Sequence, residues 1–213
     1  MELILGSQSP RRQELLTRMG LHFRVLTADI DETKFETEDP RESVCRICAA
    51  KASAVAQIAR TRGLPEEGAL ILTADTIVVL DGRIMGKPHD EAEARAMLGR
   101  LSGREHEVYT AFTLLPCGNA GTEGPFASMT HCERSLVRFR PLREAEIAAY
   151  VATGEPMDKA GAYGIQDLGA MLVESICGDY FTVMGLPVCR VALALKDFGI
   201  DPFQPAGALA GRS

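Results

Sequence analysis

The sequence lacks the patterns that mark membrane-spanning, secreted and broadly nucleic-acid-binding proteins. Its 213 residues contain no run of 18 apolar residues, so no transmembrane helix is predicted. The formal net charge is -6, whereas nucleic acids and anionic membranes favour basic partners. The N-terminus begins with an acidic residue and a strand-like segment, so no signal peptide is predicted. With 46% apolar and 24% charged residues, the composition is typical of a soluble globular protein.

Several catalytic motifs are also missing. The sequence has no G-x-S-x-G, no H-E-x-x-H and no Walker A pattern, and its four histidines lack metal-ligand spacing. Serine hydrolase and zinc protease chemistry are therefore not supported.

Cysteine usage indicates a reducing compartment. The six cysteines show no disulfide framework, and free thiols in the cytoplasm fit them best. Cys45-Arg-Ile-Cys48 has the spacing of a metal or redox pair, but it lies in a helical stretch and no second C-x-x-C completes a tetrahedral site.

Strand-like and helix-like segments alternate along the chain, which predicts an α/β or mixed α+β fold. We expect a single domain over residues 1–200 and a frayed tail over 201–213, where Pro, Gly and Ala are frequent. A loop is predicted at 116–130. Helices are predicted at 11–19, 40–62, 90–103 and 143–152 and from 187 onwards, and strands at 3–5, 22–26, 70–80, 83–85, 108–115, 135–139, 170–173 and 180–184.

The segment 3–12 predicts an anion site. An apolar strand enters a Gly/Ser turn, Ser9 is a candidate N-cap, and Pro10 opens a helix. Arg11 and Arg12 follow in the first turn, where the helix dipole disfavours cations. A bound phosphate would explain them, although a solvated helix start is the alternative.

Two charged residues interrupt apolar patterns. Asp75 stands inside a strand that otherwise reads as buried, where an unpaired carboxylate is costly. A capping role at a strand end or bulge is the structural alternative. Lys51 lies on the apolar face of its helix, where it either faces a phosphate or extends along the edge of the core.

Three further segments could complete a polyphosphate site. Lys87 follows a glycine at a stiff corner, and the glycine-containing segment from Asp158 to Gln166 offers Lys159 and a base-reading amide. Asp31 and Glu32 could hold a hard cation such as Mg²⁺. An ordinary turn, an ordinary loop and a solvated acidic loop are the alternatives. Cations combined with carboxylates suit metal-assisted attack on a polyphosphate.

Together these segments resemble the Maf family, the septum-formation-inhibitor-like nucleoside triphosphate pyrophosphatases. The resemblance covers about residues 3 to 198. The matching pieces are Ser7-Gln-Ser-Pro-Arg-Arg12, Ala50-Lys-Ala52, Ala74-Asp-Thr-Ile-Val-Val79, Gly86-Lys-Pro88, Leu101-Ser-Gly-Arg104, Asp158-Lys-Ala-Gly-Ala-Tyr-Gly-Ile-Gln166 and Gly185-Leu-Pro187.

The resemblance implies a fold, an activity and site residues. The implied fold is that of the inosine triphosphate pyrophosphatases, with an elongated mixed sheet and an active-site cleft between two lobes, usually in a homodimer. The implied catalytic residues are Asp75 as proton acceptor, Lys51 and Lys87. The implied substrate-binding residues are Ser7, Arg11, Arg12, Thr76, Lys159 and Gln166. The implied metal site, for Mg²⁺ or Mn²⁺, is formed by Glu32 and Asp75.

The resemblance also implies a substrate. The combination of Arg11, Thr76 and Gln166 is similar to the subgroup that hydrolyses dTTP and UTP, with modified uridine triphosphates as further substrates. Two alternatives stay open: a 7-methyl-GTP pyrophosphatase, and a nucleotide-binding regulator of cell division in which hydrolysis is incidental. Asp75 favours an enzyme, because binding alone gains nothing from a carboxylate near phosphates.

Overall fold

The computed structural model describes residues 1–31, 38–64, 68–117 and 127–204, which form α-helices and short 3₁₀ turns around one mixed sheet. The strands are β1 (Glu2–Leu5), β2 (Phe23–Val25), β3 (Ala69–Leu80), β4 (Arg83–Met85), β5 (Glu105–Cys117), β6 (Met129–Phe139) and β7 (Val173–Cys177). The helices are α1 (Pro10–Arg18), α2 (Pro40–Thr61), α3 (Glu91–Leu101), α4 (Glu144–Val151), α5 (Tyr180–Met184) and α6 (Val188–Asp197).

The sheet combines parallel and antiparallel pairs, as predicted. Its strand order is β2-β1-β3-β5-β6-β7, and β4 pairs with the far end of β3. β1 runs parallel to both neighbours, whereas β3, β5, β6 and β7 form successive antiparallel pairs. No helix in the described ranges is long and apolar enough to cross a bilayer.

Local sequence signals account for the start of α2 and for the turn between β3 and β4. Asp39 caps α2 by accepting hydrogen bonds from the backbone of Arg41 and Glu42, and Pro40 occupies the first helical position. Asp81 and Gly82 both have positive φ, 52° and 73°, which is the backbone of the predicted type I′ hairpin between β3 and β4.

Two strand predictions near the C-terminus are wrong. The segment predicted as a strand over 180–184 is the short helix α5, which Asp179 caps through the backbone of Thr182 and which ends at Gly185, φ 114°. The segment predicted as a strand over 170–173 lies in the 3₁₀ turn Leu168–Leu172, and β7 begins only at the last of its residues.

The ends of the loop predicted at 116–130 belong to strands β5 and β6. Its residues 118–126 lie outside the described residues, as do residues 205–213 of the predicted tail.

The apolar core is interrupted on both faces of β3 at the same place. One face carries Leu70 and Leu72, which pack with α1 and α6, and then Val78 and Leu80, which pack with α3 and α4. Thr76 lies between these two clusters. On the other face, Thr73 and Asp75 separate the cluster around Ile71 from the cluster around Ile77. We call this interruption, Thr73 to Thr76, the seam of the core.

Candidate active site

A cleft of about 1080 Å³ opens at the seam of the core. It is lined by the turns after β1 and β4, by the middle of β3, and by the start of α1. Nine predicted site residues line it: Ser7, Arg11, Arg12, Lys51, Asp75, Thr76, Lys87, Lys159 and Gln166. Asp31, a predicted candidate ligand for a cation, is described by the structure and does not line the cleft. Glu32, the predicted metal ligand, lies outside the described residues.

The cleft exists because β3 is longer than its neighbours on one edge. β1 ends opposite Leu72, and β4 begins to pair only at Val78. Among the described strands, none pairs with the intervening residues on that edge. The turn after β1 and the corner at Gly86 therefore flank an open stretch of β3 that carries Asp75.

Asp75 forms an ion pair with Lys51 of α2. The Lys51 Nζ atom lies 2.7 Å from Oδ1 of Asp75, and the two side chains are only 16% and 11% exposed. Within the described part of the chain, the second carboxylate oxygen of Asp75 has no protein partner, and the residue lines the cleft. The two residues that the sequence marked as misfits thus meet in the structure.

Arg12 connects three segments around the cleft. Its Nη1 atom donates to the Ala74 carbonyl at 2.7 Å and to the Ser7 hydroxyl at 3.1 Å, and its Nε atom donates to the Gly185 carbonyl at 2.8 Å. Its Nη2 atom donates to the Thr76 hydroxyl at 3.1 Å. The guanidinium therefore joins the turn after β1, the open edge of β3 and the end of α5.

A chain of threonine hydroxyls extends from Arg12 into the sheet. Thr110 donates to the Thr182 carbonyl at 2.7 Å, so Thr76, 2.9 Å away, must donate to Thr110 and accept from Arg12. Nothing in the sequence marked Thr110, because threonine is an ordinary residue in a strand, or Thr182, which contributes its backbone carbonyl.

The predicted cations Arg11 and Lys87 both line the cleft. Arg11 lies in the first turn of α1, whereas Lys87 is exposed beyond β4. Although burial opposes it, the ammonium of Lys159 and the charge of Arg11 hold the pKa of Asp158 below its usual value.

The segment 158–167 forms the remaining wall. Lys159 is 8% exposed, and its Nζ atom donates to the Glu155 carbonyl at 2.6 Å and to Asp158 Oδ1 at 2.7 Å. Oε1 of Gln166 is buried and has no hydrogen-bond partner among the described residues. A buried amide oxygen without a partner is costly, so a ligand that donates a hydrogen bond would stabilise this wall.

Asp75 is the ligand of the predicted metal site that lies within the described residues. Residues 1–31, 38–64, 68–117 and 127–204 contain no group of three His, Cys, Asp or Glu side chains that could hold a metal ion by itself. Mg²⁺ is commonly held by one or two carboxylates together with substrate phosphates and water. The free oxygen of Asp75 fits that mode of binding.

Comparison with known proteins identifies the family. The model of a family described as Maf-like protein matches residues 2–198. The chain belongs to the Maf family. The fold of this Maf protein is similar to the structure of a HAM1 protein from Coxiella burnetii, with a TM-score of 0.50 and 17% identity, covering 92% of this chain and 99% of that one. This likeness confirms the fold class that was predicted from the sequence.

Curated relatives of this Maf protein match nearly its whole length. A dTTP/UTP pyrophosphatase of Symbiobacterium thermophilum is 48% identical over 95% of this chain and 96% of its own. A dTTP/UTP pyrophosphatase of Moorella thermoacetica is 49% identical over 94% of this chain and 96% of its own.

Proposed function

We propose that this Maf protein hydrolyses the α–β phosphoanhydride of dTTP and UTP, which yields the nucleoside monophosphate and pyrophosphate. The observation that carries the proposal is the ion pair of Asp75 and Lys51 at the centre of a cleft lined by further arginine and lysine side chains. The relatives named dTTP/UTP pyrophosphatase, 48% and 49% identical, support the choice of substrate.

Asp75 is the proton acceptor in this proposal. Lys51 occupies one carboxylate oxygen and orients the side chain, and the other oxygen takes a proton from the attacking water. The water oxygen forms a bond to the α-phosphorus, and the bond from that phosphorus to the bridging oxygen breaks. The electron pair of that bond leaves with pyrophosphate.

The cations neutralise the charge of the triphosphate and of the departing pyrophosphate. Arg11, Lys87 and Lys159 all line the cleft. Ser7 and Arg12 shape the turn after β1, where backbone N–H groups at the start of α1 favour anions. Fixed positive charges in such a cleft stabilise charge that develops in the transition state.

Gln166 reads the base in this proposal. Its unpartnered Oε1 would accept from N3–H of uracil or thymine, and its amide N–H₂ would donate to the neighbouring carbonyl oxygen of the base. Cytosine has no N3–H, so a site built for this donor discriminates against CTP. Thr76, fixed by Arg12 and Thr110, contributes a hydroxyl beside the substrate.

A divalent cation completes the proposed site. Asp75 and Glu32 would hold Mg²⁺ or Mn²⁺ together with phosphate oxygens, and the ion would withdraw charge from the triphosphate. We also propose that the protein acts in the cytoplasm as a homodimer, with the nucleoside triphosphate as its ligand and without nucleic-acid or membrane partners.

The first prediction concerns Asp75. Asp75→Asn removes the proton acceptor and one side of the ion pair with similar volume, so turnover of dTTP and UTP is expected to fall by at least about 10²-fold. Pyrophosphate release is measured with dTTP, UTP, CTP, GTP and 7-methyl-GTP, in Mg²⁺ or Mn²⁺.

Asp197→Asn, an exposed change at the end of α6, serves as the control and should leave turnover unchanged. Near-normal turnover in Asp75→Asn would remove Asp75 from the chemistry. Tight nucleotide binding by the wild-type protein without hydrolysis of any triphosphate would instead favour a regulator, and preference for 7-methyl-GTP would overturn the proposed substrate.

A further inference from the structure

The wall that carries Gln166 is held together by one residue, Glu155, through its carboxylate and its backbone carbonyl. Glu155 lies just before this wall, outside the segment 158–167 that the sequence marked. Its Oε1 atom accepts from the backbone of Gly169 at 3.1 Å, and its Oε2 atom accepts from the backbone of Leu168 at 3.1 Å. Its own carbonyl accepts from Lys159 at 2.6 Å. Glu155 thus connects both ends of the wall.

Tyr150 of α4 extends this connection to the middle of the wall. Its hydroxyl donates to Oε1 of Glu155 at 2.8 Å and accepts from the backbone of Gly164 at 3.1 Å. Tyr150 is 5% exposed and belongs to the apolar cluster beside α3. The Tyr150 hydroxyl therefore ties the wall to α4 at a point two residues before Gln166.

The backbone at Gly169 packs closely against the backbone at Gly164. A Cβ atom on Gly169 would fall on the carbonyl oxygen of Gly164 and within 2.6 Å of the Tyr150 hydroxyl. The backbone before Gln166 thus touches the backbone after it, and the Glu155 carboxylate lies beside this contact. A change in the carboxylate would therefore act directly on Leu168 and Gly169, and through Tyr150 on Gly164.

We propose that Glu155, acting with Tyr150, is a positioning residue for base selection, which holds Gln166 where its amide meets the pyrimidine. Neither residue lines the cleft, so neither touches the substrate. This inference rests on the proposed function, because it presupposes that Gln166 reads the base. It assigns the position of Gln166 to two residues outside the wall. It separates the selection of the base from the chemistry at Asp75.

The test uses two nearly isosteric variants. Glu155→Gln places an amide N–H₂ against a backbone N–H of the turn, and Tyr150→Phe leaves the buried N–H of Gly164 without an acceptor. We measure binding of the α,β-methylene analogues of UTP and CTP, which cannot be hydrolysed, and the steady-state kinetics of UTP. Either variant should reduce the ratio of UTP-analogue to CTP-analogue affinity by on the order of tenfold. It should also raise KM for UTP by a similar factor and change kcat much less.

A double variant and a matched control complete the design. Because both side chains act through one hydrogen-bonded unit, Tyr150→Phe combined with Glu155→Gln should lose little more selectivity than either change alone. Glu174→Gln, an exposed change on β7, should leave selectivity as in the wild type.

The outcomes distinguish this inference from the proposed function. Lower thermal stability in both variants with unchanged base selectivity would overturn the positioning role and leave a structural one. Loss of kcat with unchanged KM and selectivity would overturn it as well. Failure of the wild-type protein to prefer the UTP analogue or to hydrolyse UTP would instead count against the proposed function itself.

Discussion

Burial alone changes the proton affinity of His106. The side chain is 2% exposed, lies edge-on to the rings of Phe139 and Tyr163, and shares a hydrogen bond of 2.8 Å with the Tyr163 hydroxyl. Desolvation lowers the pKa of His106 to about 4 and raises that of Tyr163 above its usual value. Both side chains are therefore neutral at physiological pH.

This shift makes stability depend on pH. The unfolded chain takes up a proton at His106 near pH 6.5, but the folded protein does so only near pH 4, so stability is lost as pH falls through that window. Between about pH 7.5 and about pH 5 the loss is expected to reach about 2 kcal/mol. Urea denaturation of the wild type and of His106→Gln measures it.

The variant should show a flatter dependence of unfolding free energy on pH over this range. His22→Gln, a change at an exposed histidine, should retain the dependence of the wild type. Parallel curves for the wild type and His106→Gln would contradict this prediction.

The sequence indicated the importance of some site residues but not their contacts. Asp75 and Lys51 stood out because each contradicts the apolar pattern around it, and that contradiction is local. The roles of Ser7 and Arg12 as phosphate ligands stay predictions. The hydrogen bonds of Arg12 reach Ala74 and Gly185, which are 62 and 173 residues away, and no pattern near Arg12 indicates them.

At the scale of the element, the two helices that begin with proline start differently. Asp39 accepts two backbone hydrogen bonds at the start of α2, whereas the hydroxyl of Ser9, the predicted cap of α1, makes no capping bond. In place of such a bond, the Ser7 hydroxyl accepts from the backbone of Ser9 at 3.2 Å.

This difference predicts unequal effects on stability. Asp39→Ala should lower the free energy of unfolding by about 1 kcal/mol, and Ser9→Ala should lower it by only about a few tenths of that value. Chemical denaturation of the two variants beside the wild type gives the comparison. Equal losses would show that the two caps contribute alike.

The error at α5 has a physical cause at the same scale. Tyr180 and Phe181 are aromatic, Thr182 and Val183 are β-branched, and such residues favour strands when they are considered one by one. The capping carboxylate of Asp179 and the left-handed glycine at 185 decide the outcome, since together they close a single helical turn. Whether so short a segment forms a helix thus depends more on its end residues than on its interior residues.

At the scale of the whole molecule, charge is balanced within the cleft. The chain carries a net charge of -6, whereas the described residues that line the cleft include five arginine and lysine side chains and five carboxylates. The cations therefore attract a triphosphate only at short range, since salt screens charges beyond about 10 Å at 0.1 M ionic strength. Substrate capture should therefore weaken with salt.

We expect KM for UTP to rise about three- to tenfold between about 20 and about 300 mM potassium chloride, with a smaller change in kcat. Lys87→Gln should make this dependence shallower, because Lys87 is an exposed cation that lines the cleft. Lys196→Gln on α6, outside the cleft, should leave it as in the wild type. Equal slopes in all three proteins would mean that Lys87 does not attract the substrate.

The long strand β3 crosses the seam without a break, and this continuity has a mechanical consequence. The apolar clusters on either side of the seam are joined by the backbones of β3 and β5, which remain paired from Ala69 to Val79. Any change in the angle between the two halves must bend these paired strands. Asp75 and Thr76 lie at the pivot of that bend. Closing of the walls towards a nucleotide would thus displace the Asp75 carboxylate least.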